Sequence, residues 1–266
     1  MAALRGRKNN VRKILFLLFA LFLIATPAYS TLFSDDTMID PLTKEHVPSH
    51  GIISYGTYIY NFPSKYDLVF WPYTAEEWIC LNPKNGYAAF NGDFEKLSNK
   101  EKKVLKRWLA KNYKRKQMPK SHMDKLLWLE KVYGQRNMDN DFWCHFYRLM
   151  VYTCQSDQTK SFEHINEGSN GQKPSQGDRT KCLEYMKKAM QILQTKLEGN
   201  PVGLERIETL YLLGEYNRRT GEVEKAKKYF SEAKAVEYKD ENGKRKKGNP
   251  YIVELISDRE KLLRKK

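Results

Sequence analysis

Two short turns about forty residues apart, Asp40-Pro41-Leu42-Thr43 and Asn82-Pro83-Lys84-Asn85, constrain this chain more than anything else in it, the second running directly into Gly86-Tyr87-Ala88-Ala89-Phe90. Each has the outline of a Cys-Pro-x-Cys zinc knuckle without its sulfur. A structural zinc site needs four ligands in a tetrahedron, mostly thiolate and imidazole. Asp, Thr and two Asn do not supply that set. The pair therefore points to a fold of the metal-stapled kind that is held together some other way. One alternative stays open from residue chemistry: Asp40, Asn82 and Asn85 could collect a hard cation such as Ca²⁺, which prefers oxygen ligands.

The first thirty residues read as an address. Arg5 to Lys13 carry five positive charges and no negative one, Ile14 to Ala25 is an apolar run, and Thr26-Pro27-Ala28-Tyr29-Ser30 places small residues where a signal peptidase reads. That order predicts a signal peptide over 1–30. The run is short of the roughly twenty apolar residues of a membrane span, so a retained anchor is the second choice. Without those residues the net charge falls from +15 to +10, since they hold five of the 47 basic residues and no acidic one. A surface this basic often meets nucleic acid, but export argues against it, leaving acidic protein surfaces, anionic lipid or anionic polymer. Solvated helix faces are the plainer reading.

Residues 31–97 read as a β-rich, aromatic, metal-free and zinc-ribbon-like head. Tyr55 to Tyr60, Leu68 to Trp71 and Glu77 to Cys80 are short apolar or aromatic runs separated by Asn, Pro and Gly, the pattern of a small ribbon. A staple-free head of this size is marginal alone, so it is expected to dock on the helices behind it.

From Ser98 to the end, residues 98–266, the period is helical. Ser98-Asn99-Lys100-Glu101 fits a capping box opening a helix with Val104, Leu105, Trp108 and Leu109 on one face. Further helices are predicted over 121–133, 141–154 (Phe142, Phe146, Leu149 and Met150 inward) and 178–197 (Leu183, Met186, Met190 and Leu193 inward). Residues 156–177 read as a polar surface loop. In 204–237, Leu213-Gly214, Gly221, Ala226, Phe230 and Ala233 fall where a 34-residue tetratricopeptide repeat places its packing residues. Cys182, Met186 and Ala189 repeat that spacing, and Asn249-Pro250 starts a last helix with Ile252, Leu255, Ile256 and Leu262 as its stripe. The fold class is thus mainly α with a small β-rich N-terminal head and tetratricopeptide-like stacked helical hairpins; an ordinary helical hairpin is the alternative.

Trp78 to Phe90, with Phe94-Glu95-Lys96-Leu97-Ser98, and then Tyr211-Leu212-Leu213-Gly214-Glu215-Tyr216-Asn217-Arg218-Arg219 through Ala226, Phe230 and Pro250, resemble the bacterial family catalogued as a domain of unknown function, number 2225. The family's turn reads Cys-Pro-x-Cys-Gly-Tyr-Ala, so this chain departs from it at the knuckles and zinc is not carried over. The resemblance implies a bacterial context and, with the signal segment, a destination in the periplasm or at the cell surface. The family's exported members include a coat component of the spirochaete periplasmic flagellum. That implies an exported structural subunit whose partners are other proteins, with an acidic surface or filament and coat subunits as candidates.

No nucleophile elbow, phosphate loop, zinc-protease helix or calcium loop occurs, so no catalytic residue, cofactor or metal is assigned and a non-enzyme is expected. The alternatives are a metal-dependent enzyme or binder using His46, His50 and Asp40 in the head, and an envelope tether that keeps its apolar segment. Cys144 and Cys154 share one predicted helix, about 15 Å of rise apart, too far for a disulfide. Cys154 and Cys182 could pair, or all four cysteines are buried thiols. Three partner-binding surfaces are candidates: Glu208, Tyr211, Glu215 and Arg218 on the groove face of the repeat's first helix; Lys102, Lys103, Lys106, Arg107, Lys114 and Arg115 on the basic helix; and Lys244, Arg245, Lys246 and Lys247 before the last helix.

Overall fold

The computed structural model describes residues 32–54, 79–158 and 176–263. The expected signal peptide, the strands expected at Tyr55 to Tyr60 and Leu68 to Trp71, and all but the ends of the loop 156–177 lie outside them. The chain divides into two units, Met1–Ser34 with Ile52–Gly56 and Asp35–Gly51 with Thr57–Lys266. Only residues 32–34 and 52–54 of the first are described, as strand.

Two ribbons come first in the described chain, each turning through one knuckle. Strand β1 (Leu32–Ile39) pairs with β2 (His46–Ser54) across the first. Strand β3 (Ile79–Leu81) runs antiparallel to β4 (Ala88–Phe90) across the second, with Cys80 opposite Ala89. A single helical turn, α1 (Asn91–Phe94), follows, and then the helices take over.

Helix α2 (Asn99–Asn112) starts on the expected capping box: Ser98 Oγ accepts the Glu101 N–H while Glu101 Oε2 accepts the Ser98 N–H at 2.9 Å. Leu105 and Leu109 are its buried positions, one turn apart. A second capping box, Ser121 with Asp124, opens α3 (His122–Tyr133). Helix α4 (Asn140–Gln158) buries Phe146, Leu149 and Met150 as its period requires.

Helix α5 (Gln176–Glu198) differs from expectation by a rotation. Its buried stripe is Cys182, Tyr185, Met186, Ala189 and Leu193, and Leu183 is left 40 % exposed. Two apolar residues in succession point about 100° apart on a helix, and the one aligned with the longer stripe takes the core.

Helices α6 (Gly203–Arg219) and α7 (Val223–Ala235) form the tightest pair. Gly214 permits it: a Cβ there would sit 2.5 Å from two ring atoms of Phe230. Gly221, at φ +88°, turns the chain between them. The α4–α5 pair precedes this hairpin, α5 packs on α6, and α8 (Pro250–Leu263) covers both α6 and α7. Asn249 caps α8, accepting the N–H groups of Tyr251 and Ile252. Of its stripe, Ile252, Leu255 and Ile256 are buried and Leu262 is not. The molecule is mainly helical, as its sequence predicts, with a few short antiparallel strands toward the N-terminal side. An antiparallel ribbon that the sequence did not announce, β5 (Glu237–Lys239) with β6 (Arg245–Lys247), lies between α7 and α8. Among the described residues no helix is long and apolar enough to cross a membrane.

Candidate functional site: a sulfur-free clasp beside a basic helix

The two knuckles repeat each other atom for atom in their backbone bonds. Lys44 N–H donates to Asp40 O, and Gly86 N–H to Asn82 O, both at 2.8 Å. Asp40 N–H reaches Glu45 O as Asn82 N–H reaches Tyr87 O. Both turns close on a residue with positive φ, Lys44 at 68° and Gly86 at 79°. The two turns therefore share one backbone geometry, with a carboxylate at their centre.

That centre is the Asp40 carboxylate, fully buried. Its Oδ1 accepts the Leu42 N–H at 2.7 Å and the Thr43 N–H at 3.3 Å. Its Oδ2 accepts the side-chain amides of Asn82, at 2.5 Å, and Asn85, at 2.6 Å. One carboxylate thus ties both turns together. At the rim, Lys84 Nζ meets Glu45 Oε1 at 2.8 Å, again from one knuckle to the other.

The same bonds bear on the cation alternative. Asn82 Oδ1 is occupied by the Lys84 N–H and Asn85 Oδ1 by the Tyr87 N–H. The amide NH₂ groups, not the oxygens, therefore face Asp40, and a hard cation placed there would meet hydrogens. Among the described residues no group of three His, Cys, Asp or Glu side chains is gathered to hold a metal. His46 is exposed on β2 beside Thr37, and the His50 side chain lies outside the described residues.

Helices α2 and α3 grip the second knuckle from behind. Tyr113, the residue closing α2, donates its hydroxyl to Pro83 O at 2.8 Å. Its ring lies so close to Gly86 that a Cβ would fall 2.2 Å from Cγ. Trp128 Nε1 donates to Gly86 O at 2.7 Å. Tyr133 receives the Phe90 N–H at its hydroxyl and donates to Asp93. Arg136 joins Glu101 at 3.0 Å and Lys96 O at 3.0 Å. The head is thus docked on the helices, as its small size requires.

The outer side of α2 and the turn after it, residues 99–120, hold ten basic residues and one acidic residue, Glu101. Glu101 is committed to Ser98 and Arg136. Among the described residues none of the ten forms an ion pair. Lys103, Lys106, Arg107, Lys114 and Arg115 are exposed and Lys102 half-buried, so the predicted basic surface is assembled on one element.

The other two predicted surfaces look different. Glu208 is exposed and Arg218 half-buried, but Tyr211 and Glu215 are buried among the chain's own residues. They do not line an open groove face, because Glu215 is the anchor of three arginines: Arg219 at 2.6 Å, Arg218 at 2.7 Å and Arg259 of α8 at 3.4 Å. Burial pushes the Glu215 carboxyl up, yet the Arg219 charge, the Arg218 hydrogen bonds and the Arg259 charge outweigh it and bring it down to about 2. Arg259 was invisible to local reasoning because it lies forty-four residues on, in a helix whose docking no local pattern specifies. Of Lys244, Arg245, Lys246 and Lys247, all exposed, Lys246 pairs with Asp240 at 2.9 Å.

The thiols are poorly placed for nucleophilic chemistry. Cys80, Cys144, Cys154 and Cys182 are all buried and none is in a disulfide. Burial, with Asp40 and Glu95 nearby, pushes Cys80 up to about 12, and burial raises Cys144 as well.

Residues 52–262 match the model of a family described as "Uncharacterized protein conserved in bacteria (DUF2225)". No curated protein and no solved structure matches the chain.

Proposed function

The chain belongs to the DUF2225 family of bacterial proteins, and we propose that it is an exported, non-catalytic docking subunit that sits on an acidic protein surface through helix α2. The observation that carries this reading is the ridge of ten cations without an ion-pair partner among the described residues, mounted beside a clasp centred on Asp40. Like charges at helical spacing weaken a helix. A ridge retained at that cost makes sense where a partner supplies the counter-charge. Such charges orient and accelerate docking more than they tighten it.

Export rests on the charged, apolar and small-residue order of the first thirty residues. The helical pairs behind the clasp are read as tetratricopeptide-like, Gly214 and Phe230 providing the close contact. A coat or accessory role in a periplasmic assembly, the periplasmic flagellum among them, fits such a basic subunit.

The test is cross-linking in intact cells from a photoreactive residue placed at Lys103 or Arg107, followed by identification of the attached protein. An acidic protein recovered from the cell envelope is the expected result. Recovery of uncross-linked monomer alone, or of a cytoplasmic partner, would overturn the reading.

A further inference from the structure

Between the two knuckles and α2 lies a groove of about 350 Å³. Its base is apolar, formed by Leu42 of the first knuckle and Leu109 of α2, both buried. Ala110, the smallest side chain a helix offers short of glycine, keeps it open. Tyr113 makes a wall that is fixed, since its hydroxyl is bonded to Pro83 and its ring is pressed against Gly86. Lys84 and Lys106 stand at the lining as cations.

We propose that this groove receives one bulky apolar side chain from an acidic segment of the docking partner. The inference rests on the docking role just given to α2 and names what the partner must present. Volume is the first reason. The groove lies at the small end of the ~300–1,000 Å³ range of ligand pockets, suited to a single anchor. Charge is the second. Lys106 belongs to the unpaired ridge, while the nearby carboxylates are already engaged, Asp40 by four donors and Glu45 by Lys84. Rigidity is the third. A preformed apolar pocket is where interfaces concentrate their binding energy, because little ordering is needed on binding.

The test uses the full mature chain and two synthetic glutamate-rich peptides that differ at one central position, Phe or Ser, read by fluorescence anisotropy at several salt concentrations. Burying a Phe side chain predicts about tenfold tighter binding of the Phe peptide. Plugging the groove with Ala110→Trp, or with the milder Ala110→Met, should abolish that advantage and leave the Ser peptide unchanged. Lys103→Glu with Arg107→Glu, outside the groove lining, should weaken both peptides alike. Equal binding of the two peptides, unaffected by either plug, would overturn the groove proposal and leave ridge docking standing. Binding of neither peptide, with binding to phosphatidylglycerol vesicles, would overturn both.

Discussion

Helix α2 and the α6–α7 hairpin are both rich in charge and differ in how that charge is balanced. Residues 99–120 hold ten cations and one anion, whereas 203–235 hold seven and six. In the hairpin and its surroundings the charges are internal: Lys227 pairs with Glu224, Lys225 with Glu222, Lys234 with Glu260 of α8, and two of the hairpin's own arginines with Glu215. On α2, Lys102 and Lys106, Lys103 and Arg107, and Arg107 and Lys111 are like charges four residues apart, each pair costing a few tenths of a kcal/mol. A capping box, buried Leu105 and Leu109, and contact between the Trp108 and Trp128 rings at 5.4 Å hold the helix against that cost. The hairpin is neutralised by its own chain. The ridge has no ion-pair partner among the described residues, and the clasp lies next to it.

The largest effect is expected at the clasp. Asp40→Ala removes the acceptor for two asparagine amides and two backbone N–H groups. Leaving such donors buried and unmet should cost at least about 3 kcal/mol, read as a fall in the urea midpoint at constant slope. Chelators should leave the thermal midpoint of the natural chain unchanged. A drop in that midpoint, restored by a divalent metal, would mean that an ion rather than Asp40 does the stapling.

Acid should act on the hairpin first. The Glu215 carboxyl falls from its ordinary 4.5 to about 2 in the folded chain. A depressed carboxylate stabilises fully above its unfolded value and loses that contribution as pH falls through the folded one. Its share of stability is therefore present at pH 5 and gone near pH 2, a loss on the order of 2 kcal/mol. Hydrogen exchange should show α6 and α8 loosening over that window. Glu215→Gln should lower stability at neutral pH and flatten the same portion of the pH profile.

Packing gives a smaller effect. In Gly214→Ala the new Cβ meets the Phe230 ring at 2.5 Å. Overfilling a close contact costs about 1–3 kcal/mol, and replacing Gly in a helix returns nearly 1, so a net loss of about 1 kcal/mol is expected in thermal unfolding. A stabilised variant would show that the two helices do not need their close approach.

How much of this was readable beforehand follows the range of the forces. The Ser98 capping box, the Asn249-Pro250 start of α8 and the Gly214–Phe230 contact are signalled by residues close in sequence or by a repeat spacing. The knuckles too were legible as turns, since Pro, Asn and Gly announce them. What ties the two turns together was not, because the answer depends on Asp40 meeting Asn82 and Asn85 across more than forty residues. Leu183 was assigned inward on hydrophobicity alone, whereas packing preferred Cys182 beside it. Glu215 was assigned to the groove face from its place in the repeat, and three arginines from two helices hold it inside instead.

The smallest effect on stability is also the sharpest test of the contrast. Neutralising the ridge with Lys103→Gln, Lys106→Gln and Arg107→Gln removes no ion pair among the described residues. Folding stability should therefore stay within about 0.5 kcal/mol for each exposed change, or rise slightly as repulsion is relieved. The matching change in the hairpin, Lys234→Gln, breaks its bond to Glu260, which is 28 % exposed, and should lower stability by about 0.5 kcal/mol. Binding to an acidic partner should show the reverse order: lost with the ridge, with a reduced salt dependence, and unaffected by Lys234→Gln. A ridge variant that unfolds more readily than the hairpin variant would mean that these cations are neutralised within the chain after all, and that α2 has no charge left over for a partner.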